Sequence, residues 1–297
     1  MSQMTKPTPT PSISFAQLVG DPNGNAALNN KVNSIASLAG SLVESKYTRG
    51  LYFGDVQQQS NSLKDYSQNI CDAQYLGGSV GFIADAELYN TEPGWLTTGQ
   101  GTNKALMIHK NFLEGWNVSV GQSMLVQVRF KIPTALSASD MPLFGNGYPG
   151  ALGIYCRVKP AGNIQLGVNA GNIYGSGVTN IETSLVTPDT EHTLTVLING
   201  VDKTYSAWHN NRQSSVGQLQ NINITGSGDT GANHFGIGCL LGTSYSPGNA
   251  QPLRTRAFRI VTTPAGIMFK DPGMLAYRFH RDYSTLINEV DMVGATA

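Results

Sequence analysis

Charged side chains are scarce in this 297-residue chain, at 13% of the residues against about 25% in ordinary soluble proteins. Nineteen basic and nineteen acidic residues cancel to a formal net charge of +0, so no overall field would attract nucleic acid or an anionic bilayer. The sequence also lacks any stretch approaching the roughly 18 apolar residues of a membrane span. We therefore expect neither a nucleic-acid partner nor insertion into a membrane.

Cysteine is equally scarce. Cys71, Cys156 and Cys239 are odd in number and widely spaced, which excludes a disulfide framework and a CxxC zinc site. Cys156 and Cys239 lie in alternating apolar runs, which favours buried positions for both. The N-terminus lacks the apolar segment of a signal peptide, so we expect synthesis in the cytoplasm without export.

Motifs for metal chemistry are missing. The five histidines are scattered, and no HExxH sequence is present. The segment 226–233 could supply oxygen ligands to calcium, but it contains a single carboxylate, Asp229, and a plain flexible loop is the favoured interpretation. We expect no metal and no cofactor.

The first 46 residues differ in character from the rest. Residues 1–25 begin with Pro7, Pro9 and Pro11 alternating with threonine, which predicts an extended arm that only a partner would order. Residues 26–46 predict a short helix that Asn25 caps. Its apolar residues are spaced by three or four positions: Leu28, Val32, Ile35, Leu38 and Leu42.

This apolar seam covers about two heptads, and so short a helix is marginal in water on its own. It therefore either packs on its own domain or forms a short parallel bundle. The β-branched Val32 and Ile35 are compatible with a bundle of three helices, one from each chain, and we favour a homotrimer.

From residue 47 to 271 the apolar pattern alternates with a period of two. Met124–Ile132 predicts a strand with one face exposed to water, and Asn199-Gly200 predicts a hairpin that pairs Ile198 with Val201. Many such short strands without long helices between them predict a mainly β protein, an antiparallel jelly-roll sandwich. Residues 272–297 predict a C-terminal helix and tail, with Leu275 and Phe279 on the apolar face of the helix.

The candidate ligand-binding residues are aromatic side chains beside hydrogen-bonding groups, the combination that binds sugars. The hairpin phase places Trp208 on the polar face of its strand, followed by His209, Asn210 and Asn211. Trp95 and Tyr148 are further candidates, in predicted loops. The alternative for each aromatic is burial against a second layer or a subunit contact.

Two segments resemble known families. Residues 18–31 contain Gly-Asp-Pro-x-x-Asn-x-x-Leu before a predicted helix, and resemble a stretch near the N-termini of tailed-bacteriophage tail-fibre and head-fibre proteins. The region from about 50 to 270 is similar to concanavalin A-like and laminin G-like lectin domains. The motifs that carry this second resemblance are Pro142–Gly145, Gly153–Tyr155, His192–Ile198 and Lys203–Asn211.

The lectin-like resemblance also admits glycoside hydrolases, which would require carboxylates converging on one strand face. The nearest pairs here are Asp85 with Glu87 and Asp189 with Glu191, and neither has a third acidic residue in register. We interpret both pairs as solvated edges or turns and expect no enzymatic activity. A polysaccharide hydrolase is the least favoured reading.

Together the resemblances imply a bacteriophage virion protein, a head fibre, tail fibre or capsid decoration with a receptor-binding sandwich. They imply that the arm attaches to a capsid or tail protein through the residues Pro7, Pro9, Pro11, Phe15 and Leu18. The expected partners are further copies of the chain and a host-surface glycan. The alternative is a secreted or surface carbohydrate-binding or adhesin module of a bacterium.

Overall fold

The computed structural model describes most of the region from residue 48 onward. The described residues are 48–53, 62–63, 65, 67, 73–76, 96–98, 105–108, 113, 115–132, 135–146, 153–169, 178–181, 185–219, 222, 224–226, 235–238, 240–241, 247–248, 253–281 and 293–295. The predicted arm (1–25), the predicted helix (26–46) and the residues assigned to oligomerisation and virion attachment lie outside them.

The described chain consists of β-strands and one helix. The strands are β1 (Thr48–Phe53), β2 (Ser62–Leu63), β3 (Ala73–Leu76), β4 (Leu96–Thr98), β5 (Ala105–Ile108), β6 (Met124–Lys131), β7 (Met141–Gly145), β8 (Gly153–Val158), β9 (Ile164–Asn169), β10 (Val178–Ile181), β11 (Glu191–Asn199), β12 (Thr204–His209), β13 (Arg212–Gln218), β14 (Phe235–Ile237), β15 (Leu240–Leu241), β16 (Pro247–Gly248), β17 (Leu253–Thr262), β18 (Ile267–Phe269) and β19 (Val293–Ala295). The helix, α1, spans Pro272–Arg281.

Two antiparallel sheets form the sandwich. The seven-stranded sheet has the order β1-β17-β6-β11-β12-β13, with β4 also paired to β17. The eight-stranded sheet has the order β10-β9-β8-β7-β14-β5-β3-β2. Long crossovers between non-consecutive strands, such as β17 between β1 and β6, give the jelly-roll arrangement that the alternating pattern predicted.

The core lies between the two sheets and is built by the period-two alternation. On β6 the even-numbered residues from Met124 to Phe130 face it, and on β8 Ile154, Cys156 and Val158 do so. Phe144, Phe235 and Phe258 form an aromatic centre, with ring centroids about 6 Å apart. The predicted burial of Cys156 is confirmed, and Cys71 and Cys239 lie outside the described residues.

The hairpin of β11 and β12 has the predicted faces but not the predicted turn. Ile198 pairs with Tyr205 rather than with Val201, and residues 200–203 form a longer connection in which Lys203 has a φ of 57°. The register therefore differs from the prediction by four residues. Because four is even, every side chain stays on the predicted face of the sheet.

The prediction that one face of β6 is exposed to water is wrong. Helix α1 packs across that face of the seven-stranded sheet and buries Gln127, which is 0% exposed. Gln127 donates from Nε2 to the carbonyl oxygen of Leu275 at 3.1 Å and accepts from Arg259 Nη1 at 3.0 Å. Polar residues on this strand therefore dock a helix instead of meeting solvent.

Helix α1 has ordinary start and stop signals. The backbone N–H of Met274 donates to Asp271 Oδ1 at 2.9 Å, and Pro272 occupies the first turn. At the other end Arg129 Nη1 donates to the carbonyl oxygens of Phe279 (3.3 Å) and His280 (3.0 Å). A cation at the helix C-terminus is favourable for the helix dipole. In the described part of the chain, no helix has the length and apolarity needed to cross a membrane.

Candidate functional site

Trp208 lies on the predicted face of its strand, but it is not open to a ligand. It is 8% exposed and packs under α1 in a cluster with Leu125, Leu197, Val261, Phe269, Leu275 and Ala276. Its Nε1 atom is 3.8 Å from the position that a Cβ on Gly273 would occupy. The expectation of an exposed stacking platform is wrong, because the C-terminal helix covers this face. The alternative, burial against a second layer, is what the structure shows.

The three residues after Trp208 shape the hairpin end. Asn210 and Asn211 both have positive φ, 46° and 66°, and connect β12 to β13 in a two-residue turn between paired His209 and Arg212. Asn210 Oδ1 accepts from the backbone N–H of Thr193 at 2.9 Å, and the Asn210 N–H donates to the Thr193 carbonyl oxygen at 2.9 Å. These asparagines have a backbone role in the turn.

His209 belongs to a buried histidine pair rather than to a surface. Its Nε2 lies 3.0 Å from His192 Nδ1, and the two rings stack at 5.0 Å. His192 Nδ1 is also 3.2 Å from Asn210 Nδ2, while His192 Nε2 is 3.1 Å from the carbonyl oxygen of Thr187. Burial lowers the pKa of His192, and the hydrogen bond with the Thr187 backbone opposes this effect. The pair therefore favours a neutral His192.

The remaining sequence candidates divide between described and undescribed residues. Trp95, Tyr148, Asp85 and Glu87 lie outside the described residues. Asp189 occupies an exposed turn with a φ of 56°, as expected of a turn residue.

Glu191 is an ion-pair partner rather than a solvated edge. It binds Arg129 Nε through one carboxylate oxygen and Arg256 Nη1 through the other, the latter at 3.0 Å. The two arginines hold the Glu191 carboxylate in ion pairs that stabilise the fold beside α1.

The structure brings together one group of side chains that the sequence analysis did not single out. The Arg157 cluster, as we name it, lies on the outer face of the eight-stranded sheet and consists of Asp140, Tyr155, Arg157, Lys159 and Gln165. Its sequence signal was the alternation of β8, where Tyr155 and Arg157 face away from the core residues Ile154, Cys156 and Val158. Asp140 and Lys159 flank strands and join the cluster only through the fold.

A glycine allows the tyrosine of this cluster to lie flat on the sheet. Tyr155 is paired with Gly167 on β9, and a Cβ on Gly167 would stand 2.0 Å from the ring. The ring therefore occupies the space where any other residue would place a side chain. Tyr155 is 0% exposed, and burial raises the pKa of its hydroxyl, with the nearby charge of Arg157 opposing the shift.

Arg157 is held from three sides. Its Cζ lies 5.2 Å from the centroid of the Tyr155 ring. Nε and Nη2 donate to Gln165 Oε1 at 2.8 and 2.5 Å, and Nη1 contacts Asp140 Oδ2 at 2.6 Å. The other oxygen of Asp140 binds Lys159 Nζ at 2.8 Å.

Among the described residues, no group of three or more histidine, cysteine, aspartate or glutamate side chains could hold a metal ion. The chemistry available in the Arg157 cluster is hydrogen bonding and charge. It offers N–H donors from Arg157 and Lys159 beside the acceptor oxygens of Asp140, which suits binding of an anionic or hydroxylated ligand.

Solved structures with a similar fold include a binding domain and a receptor-binding domain. One neighbour is the binding domain of Paraclostridial Mosquitocidal Protein 1, at 14% identity and a TM-score of 0.52, covering 79% of this chain and 53% of that one. A second is the receptor-binding domain of botulinum neurotoxin mosaic serotype C/D, at 12% identity and 0.51, covering 73% and 48%. A third comes from a study of botulinum neurotoxin type C entering cells through two ganglioside molecules, at 9% identity and 0.50, covering 80% and 52%.

This chain spans about half the length of each of these neighbours. At such low identity the likeness shows the fold, a mainly β antiparallel sandwich. No protein-family model matches the sequence, and no curated protein matches it.

Proposed function

We propose that this chain is a non-enzymatic, glycan-binding virion protein of a tailed bacteriophage, in which the sandwich contacts the host surface. The observation that carries the binding role is the Arg157 cluster, where Tyr155, Gln165 and Asp140 hold a guanidinium in place on two paired strands. A donor that is already immobilised loses little conformational entropy when a ligand binds.

The fold supports binding over catalysis. The neighbours are described as binding or receptor-binding domains, and one is described in terms of ganglioside interaction. The lectin-like motifs of the sequence agree with this. Glu191, a member of one of the two carboxylate pairs considered for hydrolysis, is paired with Arg129 and Arg256.

The virion role and the homotrimer rest on the N-terminal residues. Residues 18–31 resemble fibre proteins, and the apolar seam of residues 26–46 needs neighbours to be stable. In this proposal the arm attaches to a capsid or tail protein, and the sandwich projects from the particle as a head fibre, tail fibre or capsid decoration.

The assembly is tested by the mass in solution of the full chain and of a chain lacking residues 1–45. The proposal predicts a trimer for the first and a monomer for the second. Monomers in both cases contradict a fibre and favour a free carbohydrate-binding module of a bacterium.

The binding role is tested by screening the full chain against an array of bacterial surface saccharides. Specific binding of one or more saccharides is the expected result. An array with no binding contradicts the proposed function, whatever the oligomeric state.

A further inference from the structure

We infer that the Arg157 cluster is a binding site for a carboxylate-bearing saccharide, of the uronic or sialic acid class. This inference rests on the proposed glycan-binding function and names its ligand class and location.

Within the described residues, Arg157 has N–H donors beyond those that Gln165 and Asp140 use. A guanidinium carries five N–H groups, of which the contacts with Gln165 and Asp140 use three. The two remaining N–H groups belong to a guanidinium whose plane is fixed by the Tyr155 ring. The Arg157 side chain is 13% exposed. A planar pair of N–H groups on a fixed guanidinium matches the two oxygens of a carboxylate.

The charges of the Arg157 cluster do not cancel. Arg157 and Lys159 are cationic, and Asp140 is the one carboxylate that contacts them in the described residues. The cluster therefore keeps one net positive charge after internal pairing. The Lys159 side chain is 31% exposed and has further N–H donors for hydroxyl groups. A ligand with one carboxylate among hydroxyls complements this arrangement, whereas a neutral sugar would leave the charge uncompensated.

Tyr155 adds a buried hydroxyl to the same face of the sheet. Within the described part of the chain, its buried hydroxyl has no hydrogen-bond partner. The hydroxyl lies over Gly167, 2.6 Å from where a Cβ would stand, on the same sheet face as Arg157 and Gln165. Buried hydroxyls are normally hydrogen-bonded, and an unpartnered one beside a fixed arginine is a second observation that points to a polar ligand here.

The test is calorimetric titration of the full chain with sialyllactose, a glucuronic acid oligosaccharide, lactose and inorganic phosphate. We expect one or both acidic saccharides to bind at least tenfold more tightly than lactose, with affinity that falls as salt rises. Phosphate should bind more weakly than the acidic saccharides, because it lacks the sugar hydroxyls that would contact Lys159 and Asp140. Phosphate binding as tight as saccharide binding would overturn the inference in favour of an unspecific anion site.

Arg157→Gln should lower the affinity for the acidic saccharide at least tenfold, and Lys159→Gln should lower it severalfold while leaving the stacked arginine in place. The matched control is Arg281→Gln, since Arg281 also lies over a tyrosine ring, Tyr277 at 5.9 Å, but both residues belong to helix α1, away from the eight-stranded sheet. Arg281→Gln should bind as the parent chain does. Circular dichroism of each variant confirms that it is folded.

Tight binding of neutral saccharides alone, or acidic-saccharide binding that both cluster variants leave unchanged, would overturn this inference and leave the proposed function standing. Absence of any saccharide binding, on the array and in the titrations, would overturn the proposed function as well.

Discussion

Replacing Trp208 by alanine distinguishes a structural tryptophan from a sugar-stacking one. The side chain is 8% exposed and packs between the seven-stranded sheet and α1. A tryptophan that buries about 200 Å² at about 25 cal/mol per Å² stabilises the fold by about 5 kcal/mol. Measured tryptophan-to-alanine changes in cores cost about 3–5 kcal/mol, and we expect Trp208→Ala to fall in that range.

The assay is urea unfolding of the full chain followed by far-UV circular dichroism. In a parallel thermal scan, a loss of this size should lower the melting temperature by about 10 °C in a chain of this length. Trp208→Phe keeps much of the apolar contact under Leu275 and should lose less. Val216→Ala, at a strand position that is 65% exposed, should change the free energy of unfolding by less than about 0.5 kcal/mol.

The result that would refute this reasoning is specific. If Trp208→Ala lowered stability by less than about 1 kcal/mol and abolished saccharide binding, the tryptophan would act at an open site. The packing of α1 over the sheet would then be wrong.

Three further predictions concern buried groups. Burial lowers the pKa of His192 below its ordinary value near 6.5, so the unfolded chain binds the proton more readily. The free energy of unfolding should therefore fall as the pH drops from about 7.5 through 6.5 towards the lowered pKa of His192. Denaturant titrations of His192→Gln should show a weaker dependence on pH. A free energy of unfolding that rises on acidification would contradict this prediction. Burial raises the pKa of the Cys156 thiol, so its peptide should stay unalkylated by iodoacetamide at pH 8 until the chain is denatured, and rapid native labelling would count against the core assignment. Gly167→Ala places a Cβ 2.0 Å from the Tyr155 ring and should lower the free energy of unfolding by about 1–3 kcal/mol. In a Tyr155→Ala background most of this loss should disappear. Equal losses in both backgrounds would show that the ring does not lie on Gly167.

The sandwich could be predicted from the sequence because its signal is local. Alternation assigned the core residues of β6 from Met124 to Phe130 to one face, and the apolar run around Cys156 on β8 favoured its burial. The side chains of the hairpin lie on the predicted faces although the predicted turn is wrong, because a register error of four residues does not move a side chain to the other face.

The burial of Trp208 could not be predicted from the strand alone. An alternating strand shows which residues share a face, but another part of the chain decides whether that face is covered. The C-terminal helix was predicted, and its Leu275 and Phe279 are buried as its pattern indicated. Its docking site depends on contacts across more than a hundred residues, such as that between Gln127 and Leu275.

The Arg157 cluster illustrates the same limit for the site. The alternation of β8 contains a signal for Tyr155 and Arg157, which point away from the core, but that signal does not distinguish them from other outward-facing residues. The significance of these two residues comes from cross-strand register, which places the ring on Gly167, and from Asp140, which reaches the guanidinium from outside both strands. The arm, the helix of residues 26–46 and the trimer remain predictions.

The central claim is that this sandwich binds a saccharide on the outer face of its eight-stranded sheet. Hydrogen–deuterium exchange of the full chain, with and without a saccharide selected on the array, tests it directly. The account predicts protection centred on β8 and β9, in residues 153–169, with little change in the hairpin of residues 204–218. Protection confined to the hairpin, with β8 and β9 unchanged, would contradict it.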